Sequence, residues 1–186
     1  MVERLSALRG YNKIGIFGKK EKAGIVMSEI KNLILYQVAA WPNTLDKVGT
    51  EIAQSLGLNK YPGPNRAIEG NQLSLLRIEP LKWWIVNKKI SDLSIDDGTF
   101  LDLSHSRTHI RISGQDAATL LNRYLPIDLR ELSFPVNSVA NTVLHHAGVT
   151  LWKSNHGFEL FLPRAYALSL WEVLLESSAQ FGYEVK

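Results

Sequence analysis

Apolar residues in this chain gather in short runs rich in Ile, Val, Leu and aromatic side chains, each closed by Gly, Pro, Asn or Asp, and only three stretches carry them at helical spacing. Runs this short cannot make a long-helix bundle, so the chain must build sheets and cover them with a few helices. Residues 25–30 and 33–39 read as a strand pair separated by Lys31-Asn32, the pattern of a hairpin. Pro42 suits the first turn of a helix, and Leu45, Val48, Ile52 and Leu56 recur at helical spacing until Gly57 supplies a stop. Loop follows over 59–65, where Pro62, Gly63 and Pro64 stand together. Residues 73–78 and 83–86 then form a second pair through Glu79-Pro80, with Trp83 and Trp84 on opposite sides of their strand.

The second half repeats this order. Residues 99–104 and 109–112 read as strands, Ser113 and Asp116 resemble a capping box, and a helix carries Ala117, Leu120, Leu121, Tyr124 and Leu125 on one face before Pro126. Residues 139–144, 148–152 and 158–162 form a meander, the last two joined by Ser154, Asn155 and Gly157. From Pro163 a helix runs to about Phe181 with Leu168, Trp171, Leu175 and Ser178 on its inner line, and Gly182 ends it. The expected fold class is α+β: a single domain over 24–186, made of two related strand–helix–strand modules at about 24–98 and 99–186, with a basic N-terminal arm over 1–23.

The arm mixes Gly10, Gly15 and Gly18 with many charges, which argues against a place in the core. It is expected to be mobile in the isolated chain and to order on a partner, with Ile14 and Ile16 adding to a sheet edge or lying in a groove and fast tryptic cleavage near Lys19-Lys20-Glu21-Lys22 before assembly, the alternative being that it folds back on its own domain. Most of the net charge of +3 lies near it, since residues 1–31 hold seven bases against three acids. No helix-turn-helix, zinc-finger or aromatic RNA-binding pattern accompanies that charge, so nucleic acid is not an expected partner. No run approaches the roughly 18 apolar residues of a membrane-spanning helix, which excludes that class, and the first six residues do not read as a secretory signal. A cytoplasmic location is expected. The absence of cysteine removes disulfides, thiolate nucleophiles and Cys-ligated metals.

Candidate chemistry is sparse. His145 and His146 are adjacent in an expected strand, which sends their rings to opposite faces and forbids joint chelation. His105 and His109 have helical spacing, yet Arg107-Thr108-His109-Ile110-Arg111 alternates as a strand, and His156 lies in a turn before Gly157. Neither a P-loop nor a Gly-x-Ser-x-Gly elbow is present, which excludes two nucleotide and esterase classes. Asp96-Asp97-Gly98 reads as a turn, and Trp41, Trp83, Trp84, Trp152 and Trp171 read as core rather than as a stacking platform. No catalytic, cofactor-binding or metal-ligating residue is therefore assigned.

The run Leu101-Asp102-Leu103-Ser104-His105-Ser106-Arg107-Thr108-His109-Ile110-Arg111-Ile112-Ser113-Gly114-Gln115-Asp116-Ala117 resembles a stretch shared by the folate-binding aminomethyltransferase superfamily. Further matches at Pro126-Ile127-Asp128-Leu129, Val149-Thr150-Leu151-Trp152, Phe158-Glu159-Leu160-Phe161-Leu162-Pro163-Arg164, Tyr61-Pro62-Gly63-Pro64-Asn65-Arg66 and Ile78-Glu79-Pro80-Leu81-Lys82-Trp83-Trp84 make it most similar, within that superfamily, to the gamma subunits of heterotetrameric sarcosine oxidase. The resemblance spans residues 24–185 and implies two modules about a pseudo-twofold axis. It also implies a chain without its own cofactor in a complex that oxidatively demethylates sarcosine to glycine, hydrogen peroxide and a one-carbon unit passed to tetrahydrofolate. FAD, FMN, NAD and zinc are then expected in the alpha, beta and delta subunits. The catalytic branch carries an acidic pair in the strand that here reads Ala147-Gly148-Val149-Thr150-Leu151-Trp152-Lys153, and no carboxylate lies between Glu131 and Glu159. Thr150 and Lys153 cannot replace a carboxylate base at neutral pH, so the chain is expected to be a non-catalytic accessory subunit, the alternative being an independent folate-binding or one-carbon-transfer protein.

Overall fold

A computed structural model describes residues 5–18, 23–70, 72–90 and 96–186. Its strands are β1 (Gly15–Phe17), β2 (Ile25–Ile30), β3 (Leu35–Ala40), β4 (Arg66–Glu69), β5 (Ser74–Glu79), β6 (Lys82–Val86), β7 (Gly98–Asp102), β8 (Arg107–Ser113), β9 (Val139–Leu144), β10 (Ala147–Ser154), β11 (Gly157–Pro163) and β12 (Tyr183–Val185). Helices α1 (Leu45–Ser55), α2 (Ala117–Leu121) and α3 (Ala167–Ser178) complete it, with 3-10 turns at Pro42–Thr44 and Arg164–Tyr166 leading into α1 and α3. The class is α+β, as the sequence implies. The chain divides into two compact units: the first comprises Met1–Lys31, His105–Val136 and Asn141–Lys186, the second Asn32–Ser104 and Asn137–Ala140.

The first unit is built on a seven-stranded sheet in the order β1-β12-β2-β8-β11-β10-β9. Strand β12 runs parallel to β2, and β2 pairs antiparallel with β8, which pairs antiparallel with β11. The register aligns Met27, Ile112 and Phe158 in one cross-strand row and Ile110 with Leu160 in the next, all buried. Helix α3 turns Ala167, Leu170, Trp171, Leu174 and Ser178 inward, and Ser178 Oγ lies 4.0 Å from Met27 Sδ on this apolar face. Each of the buried Leu, Ile, Met and Phe side chains contributes about 1.5–3 kcal/mol of burial before the entropy of ordering is counted.

The second unit has a five-stranded sheet in the order β4-β5-β6-β3-β7. Helix α1 lays Val48 and Ile52 against Val38, Leu75, Trp83 and Ile85. Gly49 is required within that helix because a Cβ there would stand 2.7 Å from the Tyr61 ring. Tyr61 itself meets Trp83 edge-on, with ring centroids 5.8 Å apart, and donates from its hydroxyl to Asp46 at 2.5 Å. The loop expected over 59–65 is thus a loop that supplies a core ring.

Several expectations are corrected. Strands β2 and β3 are not a hairpin, because β2 pairs with β12 and β8 while β3 pairs with β6 and β7 in the other sheet. The inner line of α3 is rotated from the expected one: Leu168 and Leu175 are half-buried, and Leu170 and Leu174 take the core side. Asp116 is the N-cap of α2 without a side-chain cap bond, so Ser113 and Asp116 make no capping box. The N-terminal segment is not free over residues 5–18. Leu8 is fully buried, Ser6 Oγ donates to Glu29 at 2.5 Å, Arg164 donates to the Leu5 carbonyl at 2.5 Å, and β1 pairs antiparallel with β12. A single buried leucine with three polar tethers outweighs the glycine and charge content that pointed to mobility. The cleavage sites expected at Lys19, Lys20 and Lys22 lie outside the described residues.

Candidate functional site

A buried polar cluster of the first unit lies on the sheet face opposite the Met27–Ile112–Phe158 row. Alternation along β8 places His109 and Arg111 on this face, and the register sets them opposite Phe161 and Glu159 of β11. Strand β10 brings Trp152 opposite Glu159 and Ser154 opposite Gly157. Glu159 has no solvent exposure and His109 is 3% exposed, while Arg111 keeps 32% of its side chain in solvent. Glu159 Oε1 accepts from Arg111 Nε at 2.6 Å and Ser154 Oγ at 2.8 Å, and Oε2 lies 2.7 Å from His109 Nε2. The His109 ring also stacks on Phe161 at 4.4 Å between centroids.

Burial alone pushes the Glu159 carboxyl upward, but hydrogen bonds from His109 and Ser154 and the charges of His109 and Arg111 outweigh it, and the carboxyl is held below its ordinary value. A carboxylate whose oxygens are occupied by three donors and whose proton affinity is lowered is a poor general base. It serves instead to tie β8, β10 and β11 together. The donor-rich edge of a pterin would need an accessible acceptor, and Glu159 has no exposure, so this cluster does not fit a folate ring.

Thr150 of β10 is buried and donates to Asn141 Oδ1 at 2.7 Å. Lys153 projects from the other face, with Nζ 3.9 Å from the Phe158 ring centroid. These two do not converge. Asp96 and Asp97 form the turn before β7, where Asp97 pairs with Lys47 at 2.8 Å and its carbonyl accepts from Thr44 Oγ1 at 2.6 Å. Trp83, Trp84, Trp152 and Trp171 are core, whereas Trp41 is 43% exposed, a correction to the core reading. His105 stands in the turn before β8 and His156 in the turn before β11, both exposed. His145 and His146 are corrected as well: they form the two-residue turn between β9 and β10, not part of a strand, and both are exposed. No group of three or more His, Asp or Glu suited to a metal ion occurs among the described residues.

The motif residues mostly shape turns. Asp102 Oδ1 accepts from the Ser104 amide at 2.8 Å, and Ser104 Oγ accepts from the Leu35 amide at 3.0 Å. Gly114 has φ +105°, and a Cβ there would stand 2.4 Å from the Gly24 carbonyl oxygen. Asp128 accepts from Arg130 and Ser133, which hold its carboxyl well below the usual range and close the loop after Leu125.

This arrangement is an α+β fold of the aminomethyltransferase kind. The glycine cleavage system aminomethyltransferase T of Bartonella henselae superposes with a TM-score of 0.58 at 16% identity, over 86% of this chain and 47% of that one. A chain of the heterotetrameric sarcosine oxidase of Corynebacterium sp. U-96 superposes with a TM-score of 0.76 at 19% identity, over 89% and 88%. In sequence the chain is similar to proteins named sarcosine oxidase subunit gamma. It is 29% identical over 126 residues to that of Corynebacterium sp. strain P-1, covering 64% of this chain and 60% of the relative, and 27% identical over 149 residues to that of Arthrobacter sp., covering 76% and 73%. The chain thus spans less than two thirds of the first relative's length. No family model matches it.

Proposed function

We propose that the chain is the gamma subunit of a heterotetrameric sarcosine oxidase, an accessory subunit that carries no catalytic residue and no cofactor of its own. The observation that supports this most is the combination of gamma-subunit sequence similarity with the loss of a usable acid on β10 and the full engagement of Glu159. On this reading the alpha, beta and delta subunits hold FAD, FMN, NAD and zinc, oxidise sarcosine, and pass the one-carbon unit to tetrahydrofolate. The complex works in the cytoplasm, without nucleic acid or membrane. Among the described residues, no helix is long and apolar enough to cross a membrane.

Coexpression with sarcosine oxidase alpha, beta and delta subunits tests the proposal. The chain is expected to co-elute with flavin absorbance and sarcosine-dependent peroxide formation, and to be colourless and inert when purified alone. Separate elution from the flavin, or peroxide from a flavin-free preparation of the chain, contradicts it.

A further inference from the structure

We propose that His145 and His146 form a bidentate site for a divalent transition-metal ion on the turn between β9 and β10. Their two Nδ1 atoms face one another at 3.2 Å. For a nitrogen–metal bond of about 2.05 Å, that separation corresponds to an angle at the metal of about 103°, close to tetrahedral. Adjacent residues of a regular strand cannot reach this arrangement, since they point to opposite faces. Here His145 sits in the left-handed region at φ +59°, which turns its ring to the side of His146.

That conformation is one that Gly or Asn adopts at lower cost, so turn geometry does not call for histidine. Nor does the core, because both rings are exposed. Aromatic neighbours flank the pair: the Tyr124 ring lies 6.3 Å from that of His145 at 25°, and the Tyr166 ring meets that of His146 edge-on at 5.7 Å. The 3.2 Å separation is a hydrogen-bond distance, in which either ring nitrogen can be the donor. Binding an ion at both Nδ1 atoms requires each neutral ring to carry its proton on Nε2, the tautomer that turns both Nδ1 lone pairs to the metal.

Two imidazoles select borderline ions such as zinc, nickel and copper over magnesium and calcium, which prefer oxygen, and copper(II) binds tightest in the usual order. The remaining coordination positions go to water, because no third His or carboxylate joins the pair among the described residues. The ion is thus an exchangeable one, distinct from a structural zinc held by four protein ligands.

The test uses the untagged, chelator-stripped chain, titrated calorimetrically with zinc sulfate and copper sulfate, alongside His145→Asn, His146→Gln and His156→Gln. Asn tolerates the backbone at 145, and thermal melts check that each variant folds. One ion per chain is expected, weakened at least about tenfold in either pair variant, as loss of one arm of a chelate requires, and unchanged in His156→Gln. Nitrogen NMR of the zinc-loaded wild-type chain should shift both Nδ1 signals, a readout that needs no variant. Absence of saturable binding, equal binding in the pair variants, equal loss in His156→Gln, or shifts at Nε2 instead of Nδ1 would each overturn the proposal.

Discussion

Glu159 is fully buried and still ionised because three donors meet it, and removing its charge strands those donors rather than simply deleting a bond. Glu159→Gln is expected to lower stability by about 3 kcal/mol, read as a shift of the urea midpoint at unchanged m value. The same group gives a pH dependence of definite sign. Its folded value lies below the ordinary carboxyl value of 4.5, so its contribution is complete above that pH and is lost as pH falls through the folded value. Acidification from pH 5 to pH 3 should therefore destabilise the wild-type chain more steeply than Glu159→Gln, and parallel curves for the two would remove Glu159 from the account. His109 and Arg111 are legible in the sequence as one face of an alternating strand. Their meeting with Glu159 is not, because register between residues 48 and 50 apart in sequence leaves no local trace. The interruption of Phe158-Glu159-Leu160-Phe161-Leu162 by one acid was the available signal. His145 and His146 were misread for a different reason: histidine is no turn former, and only the two-residue gap between Leu144 and Ala147 marks the hairpin.

Among the elements, α1 and the N-terminal segment make the sharpest claims. Ala exceeds Gly in helix propensity by about 1 kcal/mol, yet Gly49→Ala should destabilise the chain by about 1–3 kcal/mol because its methyl group meets the Tyr61 ring. A chain made more stable by that change would mean that Tyr61 moves away without loss. Leu8→Ala tests whether residues 5–18 belong to the first unit in solution: a docked segment loses about 2–5 kcal/mol, measured by thermal or urea unfolding, and a detached one loses nothing. Local elements were readable wherever periodicity and punctuation agree, as in the β5–β6 hairpin and the β9–β10–β11 meander. Strands β1, β4 and β12 escaped, being three or four residues long and defined by their partners rather than by their own pattern. The pairing of β2 with β8 and β12 escaped as well, since adjacency in sequence favoured β3.

At the scale of the whole molecule, fold and sequence similarity point the same way. The aminomethyltransferase-like fold persists at 16–19% identity to solved structures, and in this chain Gly114, Asp102 and Ser104 shape turns within it. On β10 the polar side chains are Thr150, Lys153 and Ser154, with no carboxylate among them. The most direct measurement is affinity capture of the tagged chain from cells of its own source, followed by quantitative mass spectrometry. The account predicts sarcosine oxidase alpha, beta and delta subunits recovered in equimolar amounts with the chain, together with bound flavin. Recovery of the chain alone, or with proteins unrelated to a flavin oxidase, would contradict it.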